Sequence, residues 1–231
     1  MAKKSKITEP TQIEQNVGEI LSKTDKFIES HLKQIITVVG VVIILIIAII
    51  SIRHTYYIPK EKEAQSLLFQ GERYFASQQW DFALNGDTLS YAGFLDVVDN
   101  YGFTKSGNLA KAYSGICYYH LGDYESALKY LEGYKQKDKI LASTVTGLIG
   151  DTYAQMEQTD KAISHFKKAA SMANSASISP VYLKKMAIAY ESQNKYNDAL
   201  DAYNTIKTKY PESQEAESIE KYIVRAKSFI K

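Results

Sequence analysis

The hydrophobic residues of this chain are concentrated in one uninterrupted run near its N-terminus. Residues 35–52 read IITVVGVVIILIIAIISI, and no charged side chain lies between Lys33 and Arg53. As a helix rising ~1.5 Å per residue, residues 34–52 would extend about 28 Å, close to the ~30 Å hydrocarbon core of a bilayer. A buried core helix and a cleaved signal peptide are the alternatives, but no small-residue cleavage pattern follows the run. The run predicts a transmembrane helix over residues 34–52, with residues 53–63 as a juxtamembrane linker.

The charges on either side of the run predict its orientation in a membrane. Three cations lie close on each side: Lys23, Lys26 and Lys33 before it, and Arg53, Lys60 and Lys62 after it. The balance is shifted by three further lysines: Lys3, Lys4 and Lys6. Because positively charged flanks tend to stay in the cytoplasm, we expect a cytoplasmic N-terminus and a soluble part on the opposite side.

Residues 1–33 form the predicted cytoplasmic tail. Its apolar residues recur at helix-like spacing between Lys and Glu residues: Ile13, Val17, Ile20, Leu21, Phe27, Ile28 and Leu32. This spacing is typical of an amphipathic helix at a membrane surface or against a partner. A loosely helical, solvated tail is the other interpretation, and the sequence leaves both open.

After residue 107 the apolar pattern repeats about every 35 residues. Three copies align on a small residue: Gly115, Gly150 and Ala187. Three positions later each copy has an aromatic residue: Tyr118, Tyr153 and Tyr190. Twelve positions after the small residue each has an alanine: Ala127, Ala162 and Ala199. Sixteen positions after it each has a large apolar residue: Leu131, Phe166 and Tyr203. These packing positions predict hairpins of two antiparallel helices, which stack to bury a shared core.

The pattern extends in both directions. An irregular copy over 64–107 has the same small, aromatic and alanine positions: Gly71, Tyr74 and Ala83. Residues 108–210 hold the three regular repeats, and residues 211–231 carry the apolar face of a capping helix. The predicted fold is all-α, with one N-terminal transmembrane helix followed by an α-solenoid of about four helix pairs.

Turn-prone residues separate the two predicted helices of each copy. Gly122 permits the left-handed conformation that ends a helix, whereas Glu157 and Asn194 take this place in the next two copies. Asp160, and Asn197 or Asp198, lie where a helix-starting cap is expected.

Composition and charge do not favour nucleic-acid binding, catalysis or metal binding. The net charge of +2 is too small to favour a nucleic-acid partner. The lone cysteine, Cys117, precedes the packing residue Tyr118 and is expected to be a buried structural thiol. The histidines are scattered without metal-ligand spacing: His31, His54, His120 and His165. We therefore expect no enzyme activity, no cofactor, no metal and no small-molecule substrate.

The repeated positions resemble the tetratricopeptide repeat, and Pro211 falls where that repeat often places its terminal proline. The resemblance implies a protein-interaction module whose first helices line a groove. The candidate groove residues are Ala112, Ile116, Tyr119, Gly147, Asp151, Lys184 and Ile188. The subclass that clamps acidic chaperone tails needs Lys and Asn where this chain has Ala112 and Ile116, so a partly apolar groove for an apolar peptide or partner helix is expected. A plain packing role for the same residues remains open.

A single span followed by RYFASQQWDFALNGD and then by GFLDVVDNYGFTKSGNLAKAYSGICYYHLGDYESAL is similar to the bacterial YfgM family. The resemblance covers about residues 30–231 and is most specific from Phe94 to Leu131. It implies an inner-membrane protein with periplasmic repeats, an ancillary subunit of the SecYEG translocon. It further implies association with a periplasmic prolyl-isomerase-like chaperone, PpiD, in the export or folding of secreted proteins. The alternative is a structural scaffold in another envelope assembly or secretion complex.

Overall fold

The computed structural model describes residues 12–87, 90–135 and 138–230. The chain divides between Ile58 and Pro59 into two compact units. The described ranges contain helices and no β-strand, which confirms the all-α prediction. Residues 1–11, with the three lysines of the predicted orientation signal, lie outside the described residues.

The first unit consists of helix α1 (Gln12–Ile52) and one π-helical turn (Arg53–Tyr57). The helix begins well before the predicted span, so the predicted tail is helical from Gln12 onward. The large apolar side chains from Ile36 to Ile52 are exposed along this helix. Within the described part of the chain, one helix is long and apolar enough to cross a membrane.

The linker expected over residues 53–63 is helical as well. The π turn leads directly into helix α2 (Ile58–Ala76), whose second residue is Pro59. In a regular α-helix the ring of Pro59 would clash with the carbonyl of Thr55, and the wider π turn lies at this point. The backbone thus accommodates the proline without leaving the helical conformation.

The second unit is a row of helix hairpins. After α2 its helices are α3 (Trp80–Asn85), α4 (Phe94–Tyr101), α5 (Lys105–Leu121), α6 (Tyr124–Gly133), α7 (Lys139–Gln155), α8 (Thr159–Ala173), α9 (Ser179–Ser192), α10 (Tyr196–Lys209), α11 (Gln214–Glu217) and α12 (Ile219–Ser228). The first hairpin is α2–α3, in which the ring centres of Tyr74 and Phe82 lie 6.0 Å apart. The next three are α5–α6, α7–α8 and α9–α10, whose helices pack in pairs. The predicted capping segment, residues 211–231, contains two helices with a break at Ser218, and α12 packs on α10.

Each hairpin turns at the residue seven positions after its small residue. Gly122 has a φ of 82° there, and Gln78, Glu157 and Asn194 have φ values of 57°, 60° and 60°. The left-handed conformation costs little for glycine but about 1–2 kcal/mol for a residue with a Cβ atom. All four hairpins therefore use the same turn, and only the second has the residue that suits it best.

The repeated small and alanine positions form the closest contacts between the two helices of a hairpin. A Cβ atom on Gly115 would lie 2.5 Å from Cγ of Leu131, and one on Gly150 would lie 2.8 Å from Cδ1 of Phe166. The four repeated alanines are 0% exposed: Ala83, Ala127, Ala162 and Ala199. The large residue sixteen positions on thus fills the space that the small residue leaves.

The first hairpin completes its core with residues that follow it. Its second helix ends at Asn85, and the chain passes through Gly86 and Gly93, with φ values of 88° and 95°, to helix α4. Tyr91 and Phe94 then lie so close to Gly71 that a Cβ atom there would overlap the Tyr91 hydroxyl and the Phe94 ring. The two aromatic rings take the place that Leu131 and Phe166 have in the regular copies.

The predicted helix caps at Asp160 and at Asn197 or Asp198 are corrected by the structure. Helices α8 and α10 already begin at Thr159 and Tyr196, and their cap residues Gln158 and Lys195 form no side-chain cap. The left-handed turn residue sets this start, so Asp160 is already the second helical residue. Its carboxylate instead accepts a hydrogen bond of 2.9 Å from Gln193 Nε2, which links two successive hairpin turns.

Candidate functional site

The first helices of the four hairpins, α2, α5, α7 and α9, lie side by side. Tyr113 on α5 donates its hydroxyl to Glu72 on α2 at 3.0 Å. Lys185 on α9 donates its ammonium to both carboxylate oxygens of Asp151 on α7, at 2.6 and 2.8 Å. Between these pairs, burial raises the pKa of Tyr119 on α5, and the Asp151 carboxylate adds to the shift. These contacts make one continuous surface across the four helices.

Five of the seven predicted groove residues are accessible on this surface, which we call the first-helix face. It is defined by Ile116, Tyr119, Asp151, Lys184 and Ile188. Ile188 is 45% exposed, and the other four are half-buried. The face therefore offers aliphatic and aromatic surface beside one carboxylate and one ammonium group.

The other two predicted groove residues, Ala112 and Gly147, are buried between hairpins. Ala112 is 2% exposed and belongs to a cluster with Leu131 and Val145. A Cβ atom on Gly147 would overlap the ring of Tyr182 on α9. These surroundings are those of packing positions, the second interpretation that the sequence left open.

The middle of the first-helix face is closed by the ion pair between Asp151 and Lys185. The two side chains are 23% and 40% exposed, and the residues are 34 positions apart, one repeat length. Sequence reasoning placed Asp151 in the groove but missed Lys185. Opposite charges one repeat apart on neighbouring first helices were the signal that could have identified the pair.

At its C-terminal end the face is bordered by helix α12. Arg225 donates to the Glu191 carboxylate on α9, and the ammonium of Lys184 lies 4.8 Å from the centre of the Tyr222 ring. Lys184 is therefore engaged in a cation–π contact. Ile188 remains the accessible apolar residue at this end.

At the N-terminal end, an open cleft of about 520 Å³ lies between α2 and α5. Leu68, Phe69 and Leu109 supply its apolar surface, and Lys62 and Glu72 supply charges. Phe69 lies two positions before the small residue, as Tyr113 and Lys185 do in their own hairpins. Those two contact the preceding hairpin, whereas Phe69 has no hairpin before it and is 65% exposed. Sequence reasoning missed this residue.

The repeated tyrosines pack between the two helices of their hairpins. Tyr118 stacks on Tyr130 with ring centres 5.3 Å apart, and Tyr153 lies at the same distance from the His165 ring. The predicted packing residues Gly115, Ala127, Gly150, Ala162 and Ala199 are buried, and Tyr118, Tyr153 and Tyr190 are half-buried. The face is thus presented by a packed framework rather than by loops.

The described residues contain no group of three side chains placed to hold a metal ion. Cys117 is 0% exposed, and burial raises the pKa of its thiol to about 12. A thiol that stays protonated is a poor nucleophile.

Three segments of the repeat domain match models of the tetratricopeptide repeat. Residues 113–138 and 185–213 match one tetratricopeptide-repeat profile, and residues 147–175 match another. The crystal structure of MamA protein is 16% identical with a TM-score of 0.52, over 72% of this chain and 78% of that one. A putative kinesin light chain of Podosopora anserina with nearly identical TPR-like repeats is 14% identical with a TM-score of 0.56, over 73% and 87%. No curated protein sequence matches significantly. The predicted repeats and the solenoid fold are confirmed, and at these identities the likeness concerns the fold alone.

Proposed function

We propose that this tetratricopeptide-repeat chain is a membrane-anchored interaction subunit that works beside the SecYEG translocon. In the proposal, residues 34–52 cross the inner membrane, the N-terminus is cytoplasmic and the repeats are periplasmic. The repeats bind a periplasmic prolyl-isomerase-like chaperone, PpiD, or chains that leave the translocon, and so assist export or folding.

The proposal rests on one observation: the chain has two apolar surfaces that no other described residues cover, one on α1 and one on the repeats. The side chains of α1 from Ile36 to Ile52 are exposed over a length that suits a bilayer. The hydroxyl of Thr37, within this stretch, donates to the Lys33 carbonyl at 2.8 Å, as a helix in lipid requires of its polar groups. Tetratricopeptide repeats indicate a protein-interaction module, and the second surface lies on these repeats.

The first-helix face suits a partner with apolar side chains. Ile188 at one end and Phe69 in the N-terminal cleft are 45% and 65% exposed, and buried apolar anchors supply most of the free energy of protein interfaces. Asp151 is already paired with Lys185, so the middle of the face has little unpaired charge to recruit a charged tail. An extended apolar peptide or a partner helix fits this pattern.

The translocon partnership rests on the resemblance of residues 94–131 to the YfgM family. The runner-up is a structural scaffold in another envelope assembly or secretion complex, which would have the same anchor and the same repeats. The two candidates differ in which part of the chain binds the partner. A translocon subunit is expected to engage its membrane partner through the span.

Purification of the intact chain from its own membranes in mild detergent, followed by mass spectrometry, tests the proposal. We expect SecY and a periplasmic prolyl isomerase in the wild-type sample, and loss of SecY when residues 34–52 are replaced by an unrelated span. A matched variant, Ile188→Asp, should lose the periplasmic partner and keep SecY. Recovery of another envelope complex without Sec components would refute the translocon proposal and favour the scaffold.

A further inference from the structure

One edge of the repeat domain combines exposed lysines with exposed apolar side chains. We call it the lysine edge and define it by Lys62, Lys105, Lys135, Lys139, Phe103 and Ile140. All four lysines are exposed, Phe103 is 52% exposed and Ile140 is 61% exposed. Cations around protruding apolar residues are typical of surfaces that lie on lipid headgroups.

Hydrogen bonds fix the parts of the lysine edge next to one another. Glu61 at the start of α2 accepts from the Lys105 amide at 2.7 Å and from the Ser106 hydroxyl at 2.9 Å, at the start of α5. Asn108 of α5 exchanges two hydrogen bonds with the backbone of Lys135, at 2.8 and 3.1 Å. The starts of α2 and α5 and the loop before α7 therefore lie together.

The carboxylates at this edge are committed to local partners. Glu61 binds the amide at the start of α5, and Asp138 accepts from the Ile140 and Leu141 amides at 3.0 and 2.9 Å. Glu63 forms an ion pair of 3.0 Å with Lys60. The four edge lysines outnumber Glu61 and Asp138 by two, and Glu63 offsets Lys60, so the lysine edge keeps a net positive charge that complements an anionic surface.

The connection between the apolar run and the repeat domain is short. Six residues separate Ile52, the end of the apolar run, from Pro59, the first residue of the repeat domain. Even a fully extended chain covers at most about 25 Å over that stretch. A bilayer that holds the apolar run therefore brings its headgroups within reach of the start of α2, where the lysine edge begins.

We propose that the lysine edge docks on anionic phospholipid headgroups, with Phe103 and Ile140 entering the interface. The proposal rests on the membrane anchor of the proposed function. Docking holds the domain against the bilayer by one edge, so the first helices begin at the membrane and run away from it. The bilayer then leaves the first-helix face uncovered.

The test uses the full chain in nanodiscs made with phosphatidylglycerol or with phosphatidylcholine alone, each with brominated acyl chains that quench indole fluorescence. Phe103→Trp in a Trp80→Phe background reports on the lysine edge. Leu121→Trp in the same background is the matched control, because Leu121 is 46% exposed at the other end of α5, about 24 Å away along the helix. We expect about twofold quenching for F103W in phosphatidylglycerol and little for L121W.

Charge reversal separates docking from simple proximity. Lys105→Glu combined with Lys139→Glu should remove at least about half of the F103W quenching, as should raised salt. Equal quenching at both reporters, no quenching at F103W, or quenching unaffected by charge reversal would each overturn the proposal. Failure of the chain to enter nanodiscs would instead refute the anchor, so the two failures are distinguishable.

Discussion

Replacement of Gly147 with alanine tests whether this predicted groove position packs or binds. A Cβ atom there would overlap two ring carbons of Tyr182 and lie 2.7 Å from its hydroxyl oxygen. Inside a helix, alanine is favoured over glycine by about 1 kcal/mol. Overpacking a dense core typically costs about 1–3 kcal/mol, and here a bulky aromatic ring would have to move. We expect a net destabilisation of about 1–2 kcal/mol.

The assay is thermal unfolding of the full chain in mild detergent, followed by far-ultraviolet circular dichroism. For a domain of this size, the destabilisation should lower Tm by about 2–8 °C. Gly133→Ala is the matched control, because the nearest atom to its new Cβ would be Cδ of Lys111 at 3.7 Å, an ordinary contact. Its Tm should stay the same or rise.

A second variant separates the overlap from other effects of the substitution. In a Tyr182→Leu background the ring is absent, so Gly147→Ala should cost much less than it does in the wild type. An unchanged Tm for G147A, together with weaker retention of the partner, would refute this reasoning. Position 147 would then belong to the binding surface.

Four further outcomes follow from the same contacts. Asn194→Gly should raise stability by about 1 kcal/mol in urea unfolding, because Asn194 holds a left-handed φ, and Gly122→Ala should lower it by a similar amount. Cys117 should resist alkylation at about pH 8 in the native chain and react once the chain is unfolded in urea, as mass spectrometry would register, since burial raises the pKa of its thiol to about 12. Burial lowers the pKa of His165, so its neutral ring stabilises the fold fully above the ordinary value of about 6.5, and this contribution is lost as the pH falls through the lowered value. His165→Gln should accordingly lessen the fall in Tm on acidification. Ile188→Asp should reduce co-purification of the protein partner. The free energy of unfolding should change by less than about 0.5 kcal/mol, because Ile188 is a surface residue.

The repeat positions could be predicted because each follows from a single packing requirement. A helix pair in close contact needs a small residue on one helix and a large one opposite. Gly115 and Leu131, sixteen positions apart, are such a pair. The irregular first copy has no large apolar residue sixteen positions after its small residue. Tyr91 and Phe94 fill this space instead, and they come after the second helix of the hairpin has ended. The hydrophobic periodicity of the sequence does not predict how the chain turns there.

The burial of the predicted groove residues follows only in part from their position on the helix. A residue three positions before the small residue shares its face of the helix, and Ala112 and Gly147 are buried there, whereas Lys184 at the same offset in the last hairpin is half-buried. A residue one position after is rotated by about 100°, which leaves Ile116 and Ile188 accessible. Which face meets the next hairpin depends on how the hairpins stack, and this arises only in three dimensions.

The ends of the repeat array differ in a way that bears on binding. At the C-terminal end, α12 covers the last hairpin, with Ile219, Ile223 and Ala226 at most 2% exposed. At the N-terminal end, Phe69 occupies the position that packs against a preceding hairpin elsewhere, yet it is 65% exposed. A helix that docked on Phe69 would repeat the contact that Tyr113 makes one hairpin later. The array is therefore closed at one end and open at the other, and the open end is the one joined to the apolar helix.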